Sequence, residues 1–330
     1  MRKTKKHIMG TKYKNLKHQI CSMENIQLAY IKASKGKRKT RSYLEFKEYA
    51  ELNLVNIHQE LINETYEMDP SYAFTIYVPK ERNIKALSFR DRVVQHAINN
   101  IIEPIFEKTF LPNTYACRKD KGTHKAVKYI QSVMRKSDKP LYYLKTDYKK
   151  FFKSIEYDRL HNFIAKKISC KFTLNILKHI FPKGKSELPV GWLMSQLAAN
   201  IFGSLVDHFI HHNLKQRNWA RYMDDIVIIN TSIEVLNKIQ KSIEQFSLSI
   251  LNLTFSKWYI NPISKGIDFL GYRIFTRYKL IRRDSVIRAK RKINKYKTLG
   301  LKSELNKFIG SWNGHIQWAD CFNLKQEILI

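Results

Sequence analysis

Two short apolar segments, LYYLKTD and YMDDIVIIN, constrain the fold more than any other feature, because each runs into or out of acidic residues. Segments of this length and composition predict buried β-strands. Asp147 ends the first predicted strand, and Asp224 and Asp225 stand at the turn before the second. Clustered carboxylates repel one another unless a cation lies between them. We therefore expect a fold that brings both strands to a common, cation-binding edge.

The residues around this acidic pair favour a rigid site. An isolated Asp-Asp pair is usually an exposed turn, but the apolar IVII after Asp225 indicates a strand beside a core, which holds carboxylates in place. Such carboxylates suit two-metal phosphoryl transfer, in which one ion activates a primer 3′-hydroxyl and the other neutralises a triphosphate and its leaving oxygens. We expect two Mg²⁺ ions as cofactor, with Mn²⁺ as an alternative.

The charge balance indicates a nucleic-acid partner. With 60 Lys+Arg against 28 Asp+Glu, the formal net charge is +32, which attracts polyanions. Residues 1–40 are especially basic and predict a mobile arm or a clamp ordered by phosphates, with a solvated tail as the alternative. The four cysteines contain no CxxC pair, so we expect reduced, mostly buried thiols and neither a zinc knuckle nor a disulfide framework.

No apolar stretch is long enough to span a bilayer, and no apolar core behind the basic N-terminus indicates a signal peptide. We expect a soluble, cytoplasmic protein of a bacterium, a phage or another prokaryotic mobile element.

Hydrophobic periodicity predicts further helices and strands. Helical spacing covers residues 43–66 and the segment LSFRDRVVQHAINNIIEPIFE, with a short strand in TIYVPKE between them. Apolar residues at every fourth position over 193–209 predict a long buried helix, on which Gln196, Asn200 and Asp207 form a polar edge. FSKWYINPISKGIDFLGYRIF predicts a hairpin, and the basic C-terminal region predicts helices.

Together these motifs resemble the reverse transcriptase family, whose catalytic hairpin typically contains Tyr-x-Asp-Asp and whose other metal-binding strand ends in Asp followed by aromatics. The similarity extends over about residues 87–275. It implies an RNA-directed DNA polymerase with an α+β, right-hand polymerase fold. The expected parts are a basic N-terminal arm (1–40), fingers (41–140), a catalytic palm with an antiparallel sheet (141–275) and a helical thumb (276–330).

The resemblance also implies roles for individual residues. Asp147, Asp224 and Asp225 would be catalytic metal ligands, with Tyr148 as a further ligand. Lys257 would act on the leaving pyrophosphate as general acid or electrostatic aid. Its alternative role is a lysine whose ammonium simply reaches solvent at a strand end.

The remaining residues implied by the resemblance contact substrates. The expected nucleotide-binding residues are Arg118, Phe152, Gln196 and Tyr222, with Arg118 on the triphosphate and Phe152 excluding a 2′-hydroxyl. The expected template and primer contacts are Arg90, Arg92, Ser195, Asn200, Gly271, Arg288 and Lys292. The alternatives are core packing for Phe152, helix capping for Ser195, surface exposure for Gln196 and Asn200, and a solvated charge for any basic residue without a family match.

A shorter motif indicates the subfamily. The pattern Val190-Gly191-x-x-x-Ser195-Gln196 departs from the Pro-Gln-Gly run of the related group II intron reverse transcriptases and resembles diversity-generating retroelement enzymes. That resemblance implies copying of a template-repeat RNA into adenine-mutagenised cDNA for mutagenic retrohoming. The implied partners are the template RNA, the RNA/cDNA heteroduplex, dNTPs and a small, basic, oligomeric accessory variability protein.

Two other functions stay open on the sequence. One is a different stand-alone reverse transcriptase, of retron, phage-defence or truncated group II intron type; the chain shows no Val-Thr-Gly thumb signature of retrons and no added maturase or endonuclease domain. The other is an inactive polymerase fold that only binds RNA. Intact Asp147, Asp224 and Asp225 disfavour the inactive fold.

We predict that Phe152→Ala or Phe152→Val admits ribonucleotides more readily than the unaltered protein, because the smaller side chain leaves room for a 2′-hydroxyl. Incorporation of rNTPs against dNTPs in primer extension measures the effect. Unchanged sugar discrimination would remove Phe152 from this role.

Overall fold

The computed structural model describes residues 12–77 and 81–329, in which helices are combined with antiparallel sheets. This confirms the α+β class. The α-helices are, in chain order, α1 (Lys17–Cys21), α2 (Met23–Ser34), α3 (Arg41–Glu48), α4 (Ala50–Asn63), α5 (Phe89–Glu107), α6 (Thr123–Arg135), α7 (Phe151–Ser154), α8 (Tyr157–Ala165), α9 (Lys171–Ile180), α10 (Leu193–His208), α11 (Ile233–Phe246), α12 (Arg283–Thr298), α13 (Lys302–Ile316) and α14 (Phe322–Leu329). Short π-helical segments follow α10 and α11, at Phe209–Asn213 and Ser247–Leu251.

The strands of the described ranges form three antiparallel sheets, ordered β1-β2, β4-β5-β3-β6 and β7-β8-β9. Their bounds are β1 (Tyr72–Ile76), β2 (Arg82–Ala86), β3 (Tyr142–Tyr148), β4 (Trp219–Tyr222), β5 (Asp225–Asn230), β6 (Phe255–Pro262), β7 (Ile267–Phe269), β8 (Tyr272–Ile274) and β9 (Lys279–Ile281). Both strands predicted to carry carboxylates, β3 and β5, are confirmed and lie side by side. The strand predicted in TIYVPKE, residues 75–81, overlaps the last two residues of β1. Residues 78–80 of this segment lie outside the described residues.

Chain contacts divide the protein into two compact units. The first contains the described parts of Met1–Leu111 together with Lys150–Val206 and Leu248–Leu253. The second contains Pro112–Lys149, Asp207–Ser247 and the described part of Thr254–Ile330. Strands β3 to β9 therefore all belong to the second unit, as do the carboxylates predicted to bind metal.

The first unit corrects the expectation of a mobile N-terminal arm. Helix α2 packs on α5, and Ile20, Ile26 and Ala29 are fully buried. The Asn25 side-chain amide donates to the main-chain oxygen of Ala97 at 2.9 Å. Apolar residues at helical spacing among the lysines give this segment a face that packs, which a count of charges hides. Residues 1–11 of the predicted arm lie outside the described residues.

The core of the second unit lies against the four-stranded sheet. Tyr143, Val227 and Ile229 project into a cluster that includes buried residues of α6, of the β7-β8-β9 sheet and of α13. Leu144 and Ile228 are fully buried as well. Because strands β3 and β5 are apolar on both faces, they lie inside the unit, and their ends position the acidic residues on a rigid base.

The predicted hairpin in FSKWYINPISKGIDFLGYRIF is confirmed only for its second half, β7 and β8, because the segment contributes to two sheets. Strand β6 pairs with β3 along its length, whereas β7 and β8 pair with each other. A pattern of alternating residues predicts strands but not their partners, since any extended strand offers the same backbone donors and acceptors.

Two predictions from the sequence concern membrane-spanning helices and the cysteines. Among the described residues, no helix combines the length and apolar character needed to cross a bilayer. All four cysteines are free in the structure; Cys21, Cys170 and Cys321 are buried and Cys117 is exposed, which confirms that the thiols are mostly buried.

We predict that Ile228→Ala, in the buried strand β5, lowers the free energy of unfolding by about 2–5 kcal/mol, because it leaves a cavity beside the sheet. Ile233→Ala is the matched control: Ile233 is 43% exposed whereas Ile228 is 0% exposed. The control should change stability by no more than about 0.5 kcal/mol. Urea denaturation measures both, and equal effects would contradict the buried position of β5.

Candidate active site

Backbone pairing brings the predicted carboxylates together. In the antiparallel register of β3 and β5, Asp147 lies directly opposite Asp225. Residues directly opposite each other in such a pair have Cβ atoms about 4.5–5.5 Å apart. Asp224 precedes Asp225 in the turn between β4 and β5. Three carboxylates from two distant segments of the sequence therefore lie at one end of one sheet, as predicted.

The turn that carries Asp224 is tight. Tyr222 and Asp225 pair across it, so that only Met223 and Asp224 connect the two strands. Met223 has φ 55°, in the left-handed region that a residue with a side chain seldom adopts. Such a conformation persists only where neighbouring contacts hold it.

Asp225 has the most unusual electrostatic environment of the three carboxylates. Its Oδ2 lies 3.1 Å from the ammonium of Lys145, whereas its buried Oδ1 has no hydrogen-bond partner in the described part of the chain. Burial raises the pKa of Asp225 to about 6, with Lys145 opposing the rise and Asp147 and Asp224 adding to it. The position therefore disfavours an isolated negative charge and gains from a further cation.

Within the described ranges, no three His, Cys, Asp or Glu side chains already stand in an arrangement that holds a metal ion. The donors at the end of β3 and β5 nevertheless fit divalent cations, because they are hard carboxylate oxygens and one of them is a buried acceptor without a hydrogen bond. The predicted ligand Tyr148 is buried and its hydroxyl lies 2.7 Å from Ser247 Oγ, so only its main chain is available to a metal.

Basic residues border the carboxylates on the β6 side. Lys257 is exposed and lies directly opposite Asp147 in the β3–β6 pairing. Lys145, only 7% exposed, also donates to the main-chain oxygen of Asp268 at 2.7 Å. A cavity of about 250 Å³ is lined by Lys145, Lys257, Tyr259, Asp268, Arg273, Arg282, Arg283 and Asp284. Five cations against two carboxylates make this cavity favourable for phosphate groups.

The second unit also holds two predicted nucleotide-binding residues. Arg118 is half-buried and its Nη1 donates to the main-chain oxygen of Thr114 at 2.9 Å. Tyr222 is half-buried at the end of β4, directly beside the acidic turn. Their contacts with a nucleotide stay predictions.

Three predicted primer or template contacts lie in the same unit. Gly271 has φ 91° in the two-residue turn between β7 and β8, and its main-chain oxygen accepts from Arg282 N at 3.1 Å; its contact with a primer stays a prediction. Arg288 is exposed on α12. The Lys292 ammonium lies 4.8 Å from the centre of the Phe308 ring.

Helix α10 corrects the predicted polar edge. Asn200 and Asp207 are 1% and 0% exposed, so they lie in the interior, and only Gln196 is partly exposed. The capping alternative for Ser195 is wrong, because the helix begins at Leu193 and Ser195 is fully buried within its first turn. Spacing on a helix cannot distinguish an outer polar edge from polar side chains packed inside.

The other predicted site residues belong to the first unit. Phe152 is half-buried and packs edge-to-face on Phe151, with ring centres 6.0 Å apart. Arg90 forms an ion pair with Glu60 and donates to the main-chain oxygen of Glu67 at 3.0 Å. Arg92 donates to the main chain of α2. These contacts give Arg90 and Arg92 structural roles, and their contact with template stays a prediction.

Sequence reasoning missed Lys145. It stands two residues before Asp147 on the same strand, so the period of two places both side chains on one face of the sheet. That spacing is visible in LYYLKTD and could have identified a lysine beside the carboxylates.

Comparison with known proteins identifies the family. The sequence model described as reverse transcriptase (RNA-dependent DNA polymerase) matches residues 77–274 of the 330. The chain belongs to the reverse transcriptase family. This agrees with the predicted motifs and confirms the predicted enzyme class, RNA-directed DNA polymerase.

Relatives of this reverse transcriptase include bacterial and intron-encoded proteins. YkfC of Escherichia coli (strain K12) is 24% identical over 269 residues, which cover 66% of this chain and 70% of YkfC. The putative COX1/OXI3 intron 1 protein of Saccharomyces cerevisiae is 24% identical over 62% of this chain and 26% of its own length. The group II intron-encoded protein LtrA of Lactococcus lactis subsp. cremoris is 26% identical over 49% of this chain and 29% of LtrA. The chain thus spans under a third of either intron protein.

We predict that Asp225→Asn stabilises the protein when divalent metal is removed with EDTA. Because the folded-state pKa of Asp225 is raised to about 6 from 3.8, its proton stabilises the fold below pH 3.8, and this contribution is lost as the pH rises through 6. At pH 7.5 the substitution should therefore raise the unfolding free energy by up to about 3 kcal/mol.

Thermal denaturation of both proteins at pH 7.5 and pH 5 measures this effect, and the difference should narrow at the lower pH. Asp138→Asn, at an exposed aspartate outside the site, is the matched control and should leave stability unchanged at both pH values. A destabilised Asp225→Asn protein at pH 7.5 would contradict the assigned environment.

Proposed function

We propose that this protein synthesises DNA on an RNA template at a site formed by Asp147, Asp224 and Asp225. One observation carries the proposal: antiparallel pairing places Asp147 directly opposite Asp225, and a two-residue turn places Asp224 beside them. The family match supports the reaction. Magnesium ions bound there would supply activation of the primer hydroxyl and neutralisation of the triphosphate.

The side chains of the second unit have separate tasks in this reaction. The three aspartates bind the cations. Lys257 is exposed opposite Asp147, and in this proposal its ammonium stabilises or protonates the leaving pyrophosphate. Arg118 binds the triphosphate with its guanidinium fork.

The remaining contacts select the nucleotide and hold the duplex. Phe152, Tyr222 and Gln196 contact the incoming nucleotide, with Phe152 excluding a 2′-hydroxyl. The template and primer are held by Arg90, Arg92, Ser195, Asn200, Gly271, Arg288 and Lys292. In this proposal the chain forms a right hand, with fingers over 41–140, a palm over 141–275 and a thumb over 276–330, preceded by a basic segment.

For the biological role we propose adenine-mutagenic copying of a template-repeat RNA by a diversity-generating retroelement, with an accessory variability protein as partner. The support is the motif Val190-Gly191-x-x-x-Ser195-Gln196. Gly191 has φ 106°, and Val190 and Trp192 both hydrogen-bond to Lys85 of β2. The altered motif is therefore built into a structured part of the first unit.

A second candidate is a stand-alone enzyme closer to group II intron proteins. The similarity to LtrA and to a yeast intron protein favours it, and these relatives give the diversity-generating assignment no support. The two candidates share the same polymerising chemistry and differ in the fidelity of copying. Fidelity is therefore the property that separates them.

We predict that the purified protein extends a primer on an adenine-containing RNA template with Mg²⁺ and dNTPs. Asp224→Asn should abolish synthesis, because it weakens cation binding at the turn. Asp138→Asn, an exposed aspartate outside the site, should retain it. Full synthesis by Asp224→Asn would contradict the assigned site.

Sequencing of the cDNA then separates the candidates. Errors concentrated opposite template adenines favour the diversity-generating enzyme, and uniformly accurate cDNA favours the stand-alone enzyme. Template binding without any synthesis, even with an accessory variability protein supplied, would favour a fold that only binds RNA.

A further inference from the structure

A fully buried ion pair lies behind the acidic turn. Arg221 and Asp207 are each 0% exposed and meet in a two-pronged contact, with Nε–Oδ1 at 2.7 Å and Nη2–Oδ2 at 2.8 Å. Removing two charges from water is unfavourable unless additional hydrogen bonds satisfy them, and an apolar pair of similar volume often stabilises a protein as well or better. Stability alone therefore does not explain why a charged pair occupies this position.

A third donor of the guanidinium reaches the turn itself. Arg221 Nη1 donates to the main-chain oxygen of Met223 at 2.9 Å. Met223 has φ 55°, a left-handed conformation that costs a residue with a side chain about 1–2 kcal/mol. Because Asp224 and Asp225 follow directly, the position of this peptide sets the direction of both carboxylates.

The carboxylate of the pair reaches a second functional segment. Thr114 Oγ1 donates to Asp207 Oδ2 at 2.7 Å, and the main-chain oxygen of Thr114 accepts from Arg118 at 2.9 Å. A backbone hydrogen bond joins the same two segments, because Tyr115 N donates to Arg221 O at 3.0 Å. The turn with the metal-binding carboxylates and the arginine assigned to the triphosphate are thus attached to one ion pair, within the second unit.

We propose that Arg221 and Asp207 are positioning residues for nucleotide transfer, which hold the acidic turn and the 113–118 segment in one fixed arrangement. Neither side chain touches the reacting atoms. The inference rests on the proposed polymerase function. It explains why a charged pair occupies an interior where apolar side chains would pack: only a guanidinium can bind a carboxylate with two donors and still offer a third to Met223.

The test separates positioning from stability. Arg221→Met alone leaves Asp207 buried without its partner and should lower the melting temperature strongly. The double variant Arg221→Met with Asp207→Leu removes both charges, and its melting temperature should return close to that of the unaltered protein. Its kcat in primer extension should nevertheless stay about 10-fold or more below the unaltered protein, with a higher Mg²⁺ concentration at half-maximal rate, because Met223 has lost its donor.

Arg221→Lys provides the second variant if the double variant fails to fold. It keeps a positive charge beside Asp207, but a single ammonium cannot reproduce the three-way contact, so the folded protein should also show a lower kcat. Thr114→Val removes the hydrogen bond from Thr114 to Asp207 but keeps the backbone bond from Tyr115 to Arg221, and it should raise the KM for dNTP more than it lowers kcat.

The outcomes are distinct. A stable double variant, or a folded Arg221→Lys protein, with undiminished kcat and unchanged Mg²⁺ dependence overturns the positioning role while leaving the polymerase function intact. If the unaltered protein makes no cDNA under the same conditions, the proposed function fails, and the inference fails with it.

Discussion

The pairing of β3 with β5 is the interaction on which the candidate site depends. Its antiparallel hydrogen bonds put Asp147 opposite Asp225 and leave Asp224 on the connecting turn. A shift by one residue would turn every side chain of β3 to the other face of the sheet. Close packing on both faces prevents that shift, because the buried Tyr143 and Leu144 differ in volume and each would have to occupy the other's place. Core packing and metal-site geometry are therefore set by the same register.

Concentrating carboxylates in this way is unfavourable for the fold by itself. Asp225 is raised in pKa by burial, and Lys145 only partly offsets this. Cation binding at this end of the sheet would therefore reduce the repulsion between the carboxylates. An arrangement that serves function at a cost in stability is expected at an active site. Lys145 also ties β3 to Asp268 of β7, so the residue that neutralises the site is itself anchored in the second unit.

Much of the site could be predicted because its signals are local. Each acidic segment adjoins a run of apolar residues, and the aromatic and acidic residues of YMDD stand within four consecutive positions. Helical spacing wrongly predicts Asn200 and Asp207 on a polar edge, because it gives a direction around the helix axis but does not show what packs there. The N-terminal helices were missed because abundant lysines outnumber the few residues that are buried.

The sequence by itself determined the class of the protein, the two acidic strands and the strongly basic character, since composition and short-range periodicity need no knowledge of distant contacts. Only the tertiary structure decided which strands pair, where Asp207 lies, and that Arg221 links it to the turn at Met223. The physical reason is that no regular spacing in the sequence marks the residues that make these contacts. Burial, hydrogen bonding and charge pairing select them only once the chain has folded.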